Sequence, residues 1–213
     1  MASEPEPEPE PAVGHLRPIA EEHGSIDPPA TEADLQSLVA SLRAESESRG
    51  DDEGLASLMV QLPAVPPAVA ALWLEGRSWH FSRDHYDAFG FNIFQPSCVV
   101  QTTEQIFGDW ENRAEWMRTE ANGELRQAGQ PTVAGPGWVC LASLSEYDYL
   151  FCCFDSASAS FGHVRHMVNN CCEEWHAADS FAVFPARLLE WHTSGADEDT
   201  LSECSPRPAR PAR

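Results

Sequence analysis

The sequence predicts an α+β domain: a central, mainly antiparallel sheet, helices packed at its N-terminal side, and a helix at its C-terminal end. Three observations carry that expectation. Apolar residues recur at helical spacing between Thr31 and Gly76. Period-two alternation takes over from Trp79 and again from Trp138, and helical spacing returns between Ser180 and Trp191. Helices and strands that come in runs, rather than alternating one by one, read as α+β.

The elements follow in order. "MASEPEPEPEPAVG" places proline at every second position, which removes donors and fixes φ, while the glutamates repel one another. Residues 1–30 are therefore expected as an extended acidic arm. Thr31 is a candidate N-cap with Asp34 in the first turn, and Leu35, Leu38, Val39 and Leu42 form the apolar stripe of a helix reaching about Glu47. "GDDEG" breaks that helix, and "LASLMVQLP" adds a short apolar run. In "VPPAVAALWLEG", Pro66-Pro67 opens a second helix, Val69, Leu72 and Trp73 share a face, and Gly76 is a C′ stop.

From Trp79, "SWHFSRDHYDAFGFNIFQP" reads as one or two strands with a turn near Asp84 or Gly90. Ile106, Phe107, Trp110, Ala114 and Met117 then fall on helical spacing, ending at Asn122-Gly123. "WVCLASL" and "YDYLFCCFD" are strands; in the second, Tyr147, Tyr149, Phe151 and Cys153 oppose Asp148, Leu150, Cys152 and Phe154. "SASASFG" turns the chain into "HVRHMVNN", a third alternating strand. "SFAVFPARLLEW" is the closing helix, with Ser180 at its N-cap. The domain is expected over residues 31–193, followed by a Pro/Arg tail over 194–213 that ends in "SPRPARPAR".

The chain has 213 residues and a net charge of −21. The segment from 61 to 193 alone carries 16 acids against 7 arginines, so the folded part is itself acidic. Such a surface repels phosphate backbones and anionic membranes, which argues against direct nucleic-acid or membrane binding. It steers a basic protein partner inward. All 13 basic residues are arginine, which leaves no lysine for Schiff-base chemistry. The N-terminus has neither the basic nor the apolar region of a secretory signal. Seven cysteines, two pairs of them vicinal, make no complete disulfide framework, so a reducing, cytoplasmic location is expected.

One cluster could carry chemistry: Cys140, Cys152, Cys153, His163, His166, Cys171, Cys172 and His176. Structural zinc wants four convergent ligands, commonly in C-x₂-C or H-x₃-H knuckles, and neither spacing occurs. His163 and His166 are three apart on a strand and point to opposite faces, as do adjacent Cys152 and Cys153. "CCEEWH" would place Cys172 and His176 one turn apart if that piece were helical. Cysteine in an apolar strand usually packs as a small hydrophobe. The expectation is accordingly no catalytic residue, metal or cofactor, with a small zinc- or thiol-dependent enzyme built on the Cys/His set as the alternative.

Four stretches, "WVCLAS", "EYDYLFCCFD", "GHVRHM" and "DSFAVFPARLL", carry a further pattern: an apolar strand, an acid-flanked strand ending in Asp, a Gly-Val strand and a Ser-Phe helix. Together with "PPAVAALWLEG" and "PSCVVQTTEQIFGDW", they resemble the SUKH superfamily, which groups Smi/Knr-type cell-wall-assembly regulators with bacterial toxin-immunity proteins. The likeness spans about Leu55 to Trp191. Two departures stand in it: Glu75-Gly76 replaces the family's Asn-Gly, and residues 79–95 do not register with its pattern. The resemblance implies a non-enzymatic domain that binds a protein, either a toxin or a regulatory partner. It carries over no site residues. From chemistry alone, Asp84, Asp87, Tyr147, Asp148 and Trp175 are the candidate partner contacts.

Overall fold

A computed structural model describes residues 16–49, 60–81, 91–108, 137–143, 148–168, 173–183 and 186. The elements are α1 (Leu16–His23), β1 (Gly24–Ile26), α2 (Glu32–Arg49), α3 (Pro67–Glu75), β2 (Trp79–Phe81), β3 (Phe91–Ile93), α4 (Pro96–Gly108), β4 (Trp138–Ser143), β5 (Asp148–Cys153), β6 (Val164–Val168) and β7 (Glu173–Ala178). The seven strands form one sheet in chain order, and each pairs antiparallel with the next. The α+β architecture with N-terminal helices is the one the sequence predicts.

Two strands and one helix lie where no element was expected. Residues 16–30 are not arm: Leu16, Ile19 and Ala20 on α1 and Ala30 beyond it are buried in the main core, and β1 is an edge strand on β2. Leu16, Ile19 and Ala20 stand at i, i+3 and i+4, and Pro18 falls in the first turn, where a missing N–H is tolerated. At the other end, Glu173–Ala178 is the strand β7, so "CCEEWH" does not form the helical turn that would join Cys172 to His176. The expected helix from Ser180 to Trp191 lies mostly outside the described residues. Its start is a turn in which the Ser180 hydroxyl accepts from the Ala182 N–H at 3.2 Å, with Phe181 buried in the core.

Helix α2 is opened by a capping box. The Asp34 N–H donates to the Thr31 hydroxyl at 3.2 Å, and the Thr31 N–H returns to the Asp34 carboxylate at 2.7 Å. Leu35, Leu38 and Leu42 are buried as the stripe requires. Helix α3 buries Val69, Leu72 and Trp73, and the Trp73 indole donates to the Phe94 carbonyl at 2.8 Å. Gly76 ends the helix as expected, its N–H donating to the Leu72 carbonyl at 3.1 Å, but the reason it is glycine is not a left-handed turn. Gly76 is extended at φ −167°, not left-handed. A Cβ there would stand 2.3 Å from Ile26 Cγ2 and 3.1 Å from the Trp79 ring, so the residue is glycine for close packing of α3 on β1 and β2.

The sheet is apolar on both faces along β4 to β6. Val139, Leu141, Leu150, Cys152 and Val164 enter the core shared with the helices. Trp138, Cys140, Phe151, Cys153 and Met167 form a second core on the opposite face, joined by Ile106 of α4. A bulge on β4 makes the one exception to the alternation there. Cys140 pairs with Phe151 and Ala142 with Leu150, leaving Leu141 extra, so Leu141 and Ala142 both enter the helix-side core.

Strand β3 pairs with β4 only at Asn92 and Ile93, and α4 takes over where it ends. The Cys140 N–H donates to the hydroxyl of Thr103 on α4 at 2.8 Å, and that hydroxyl donates to the Val99 carbonyl at 2.6 Å. Thr103 and Cys140 are both fully buried.

The far end of β5 is held by Asp155. Its carboxylate accepts from the N–H groups of Leu62 at 3.0 Å, Ala157 at 3.1 Å and Gln61 at 3.4 Å. It thereby pins the segment before α3 to the turn after β5, and Ala64 adds a bond to the Phe154 carbonyl at 2.9 Å.

Three substitutions test these contacts by urea denaturation. Thr103→Val orphans the buried Cys140 N–H and should cost about 1–3 kcal/mol. Asp155→Ala removes one acceptor from three N–H groups and should cost about 3 kcal/mol. Gly76→Ala should cost about 1–3 kcal/mol by overpacking, although alanine ordinarily stabilises an extended position relative to glycine. A neutral result for any of them refutes the role given to that residue.

Candidate functional site

Among the described residues, three places gather chemistry-bearing side chains. The first holds the thiols and imidazoles, and the sheet itself divides them. Cys140 and Cys153 belong to the second core, and Cys152 to the helix-side core. His166 is fully buried and pairs across the ladder with Leu150, on the same face as Cys152. His176 occupies the register position opposite Arg165 on β7. Cys171 and Cys172 lie outside the described residues. Among the described residues, no three or more His, Cys, Asp or Glu side chains are grouped to hold a metal.

Cys153 and His163 come nearest to a nucleophile and base. They are bonded neighbours across the β5–β6 ladder: the Cys153 N–H donates to the His163 carbonyl at 3.1 Å. The groups acting on the thiol are the backbone of Asp155, the hydroxyl of Ser158 and the charges of Asp155 and Arg165, while burial dominates and pushes it up. The imidazole instead faces Asp179, Nε2 to Oδ1, at 3.9 Å. Burial also pushes the Cys140 and Cys152 thiols well up. All three are thiols rather than thiolates at neutral pH, the form that is a poor nucleophile and a poor ligand.

The second place is a polar row across the second face. The register aligns Ser25, His80, Asn92, Ser143 and Tyr149 on successive strands. The Asn92 amide donates to the Ser143 hydroxyl at 3.5 Å, and its carbonyl accepts from His80 Nδ1. Asn92 stands between the imidazole and the serine, so the row is a cross-strand hydrogen-bond ladder and not a serine–histidine couple.

The third is a cleft of about 260 Å³ between α2 and α4. Ala30, Leu38, Pro96 and Val100 give it apolar surface. Asp34, Ser37, Ser41, Arg77, Gln95 and Ser97 make it polar. Arg77 is fixed by two bonds to the Pro28 carbonyl, from its N–H at 3.1 Å and from Nε at 3.2 Å. The Asp34 carboxyl is held below the usual carboxylate range, first by the Thr31 backbone and hydroxyl bonds, with Arg77 adding to them.

The expected partner contacts are scattered in the fold. Asp84 and Asp87 belong to the β2–β3 connection and Tyr147 to the β4–β5 connection, all outside the described residues. Asp148 opens β5 opposite Val168, and Trp175 lies on β7 opposite His166. These two positions are two strands apart, so the register does not make them neighbours. The cleft escaped sequence reasoning. Its one local signal was the Ser37/Ser41 pair at i, i+4 on the polar side of α2; Arg77 comes from a loop and carries no periodicity.

Comparison with known proteins adds no identity: no protein-family model and no curated protein matches the chain. Among the described residues, no helix is long and apolar enough to cross a membrane.

The raised thiols give a signed pH dependence. A group whose folded value lies above its unfolded value stabilises fully below the unfolded value and loses that contribution as pH rises. Stability should hold up to about the ordinary thiol value of 9.0 and fall above it. The Cys140→Ala/Cys152→Ala double variant should flatten that alkaline limb. Iodoacetamide should leave Cys140, Cys152 and Cys153 unmodified in the native protein at pH 7; rapid alkylation of Cys153 would identify it as an activated nucleophile.

Proposed function

We propose that the domain is a protein-interaction module of SUKH type. It engages a basic protein partner, as an immunity-type inhibitor or as a regulatory adaptor, and has no catalytic chemistry of its own. One observation carries the reading: among the described residues, the sheet separates the Cys140, Cys152 and Cys153 thiols and buries the His166 imidazole, so these groups are spent on packing. What the chain offers outward is shape and a net charge of −21. Exposed acids on the helices, among them Glu21, Glu22, Glu32 and Glu47, supply part of that charge.

A charge-steered complex has a salt signature. Tagged full-length protein should retain a discrete basic partner from its native cell at about 50 mM salt and release it by about 500 mM. The purified pair should then re-form a stoichiometric complex. Replacing Glu21, Glu22 and Glu32 with glutamine should slow association more than it speeds dissociation. Failure to rebuild a complex from purified components, or stoichiometric zinc that is lost in Cys172→Ser, would replace this reading with the zinc-dependent enzyme.

A further inference from the structure

We propose that the α2/α4 cleft binds a free aliphatic α-amino acid, its carboxylate on Arg77, its ammonium on Asp34 and its side chain on the apolar surface of Leu38 and Val100. The size of the site comes first. About 260 Å³ lies below the roughly 300–1,000 Å³ of pockets for drug-sized ligands or cofactors. The occupant is a small molecule.

Charge narrows the class. The cleft presents one guanidinium and one carboxylate. A simple anion would meet Asp34 and a simple cation would meet Arg77, so each is opposed by a like charge. A zwitterion satisfies both. Hydroxyls on two sides, Ser37 and Ser41 from α2 and Ser97 from the first turn of α4, can donate to a carboxylate or accept from an ammonium. Ala30, Leu38, Pro96 and Val100 supply the apolar part of the lining, against which an aliphatic side chain packs.

Both ionic groups are held before any ligand arrives. Arg77 is tied to the Pro28 carbonyl through its backbone N–H and Nε, which leaves its terminal nitrogens as donors. Asp34 directs Oδ2 to the Thr31 N–H and hydroxyl, at 2.7 and 2.8 Å, which leaves Oδ1 as an acceptor. Binding therefore orders few side chains that are not already ordered. The proposal uses none of Glu21, Glu22 and Glu32, and its failure would leave the interaction reading untouched.

Calorimetric titration and thermal shift on the full chain test it, with L-leucine as probe and two half-ligands as controls: 4-methylpentanoate, which lacks the ammonium, and isoamylamine, which lacks the carboxylate. Leucine should bind with both half-ligands at least about tenfold weaker, one lost charge-assisted contact being worth about that factor. Arg77→Met and Asp34→Asn should each weaken leucine about tenfold or more; asparagine retains an acceptor for the Thr31 cap. Ser41→Trp, an exposed helical position, should block the cleft while leaving the fold intact. Three outcomes overturn the proposal: no leucine binding up to about 10 mM, far above a useful affinity; a half-ligand that binds as well as leucine; or leucine binding that survives both Arg77→Met and Ser41→Trp.

Discussion

A sheet with apolar side chains on both faces must have both faces covered, and along β4 to β6 this constraint organises the molecule. The bulge at Leu141 turns one further residue of β4 to the helix side. Without it, Leu141 would pair with Leu150 and Ala142 would share the face of Cys140. Helix α4 then serves both sides at once, with Val99 in the helix-side core and Ile106 in the second. Because β3 stops short, the ladder edge at Cys140 would be an orphan without Thr103. A side-chain hydroxyl completes there what a longer strand would otherwise do.

The same two-sided burial accounts for the cysteines. A strand packed on both faces has no polar side on which to place a reactive thiol, and cysteine serves as a small apolar residue, Cys140 and Cys153 beside Trp138 and Phe151, Cys152 beside Phe154. Desolvation raises these thiols, and protonated thiols in a dry core are stable and inert. Among the described residues, three polar groupings lie at the margins of the sheet: the His80–Asn92–Ser143 ladder near the β1 edge, the Asp155 clamp at the end of β5, and the α2/α4 cleft. Of these, the clamp is spent on backbone N–H groups and the ladder on itself. The cleft keeps two fixed, opposite charges available.

Much of this architecture was legible in the residues. The cap at Thr31, the stripe of Leu35, Leu38 and Leu42, and the proline start of α3 are local signals, set within one or two helical turns. The opposed faces of "YDYLFCCFD" were equally plain, because alternation in a strand has only one period to read. The edges were not. The edge strand β1 is three residues long and follows a proline-rich arm, and β7 carries charges in "EEWHAA" that mask its alternation. Such strands are defined by the neighbour they pair with, and a neighbour is not written in the local pattern.

The sequence by itself determined the class of fold, the acidic balance and the faces of the central strands, since each depends on residues close together in the chain. Tertiary structure decided the rest. Gly76 is glycine because Ile26, fifty residues earlier, lies against it. The second core exists because Ile106 of α4 meets Trp138, Cys140, Phe151, Cys153 and Met167 from three strands. Arg77 meets Asp34, Ser41 and Ser97 in one cleft only because α2 and α4 pack side by side. Contacts between residues distant in the chain are products of chain closure, and no periodicity encodes them.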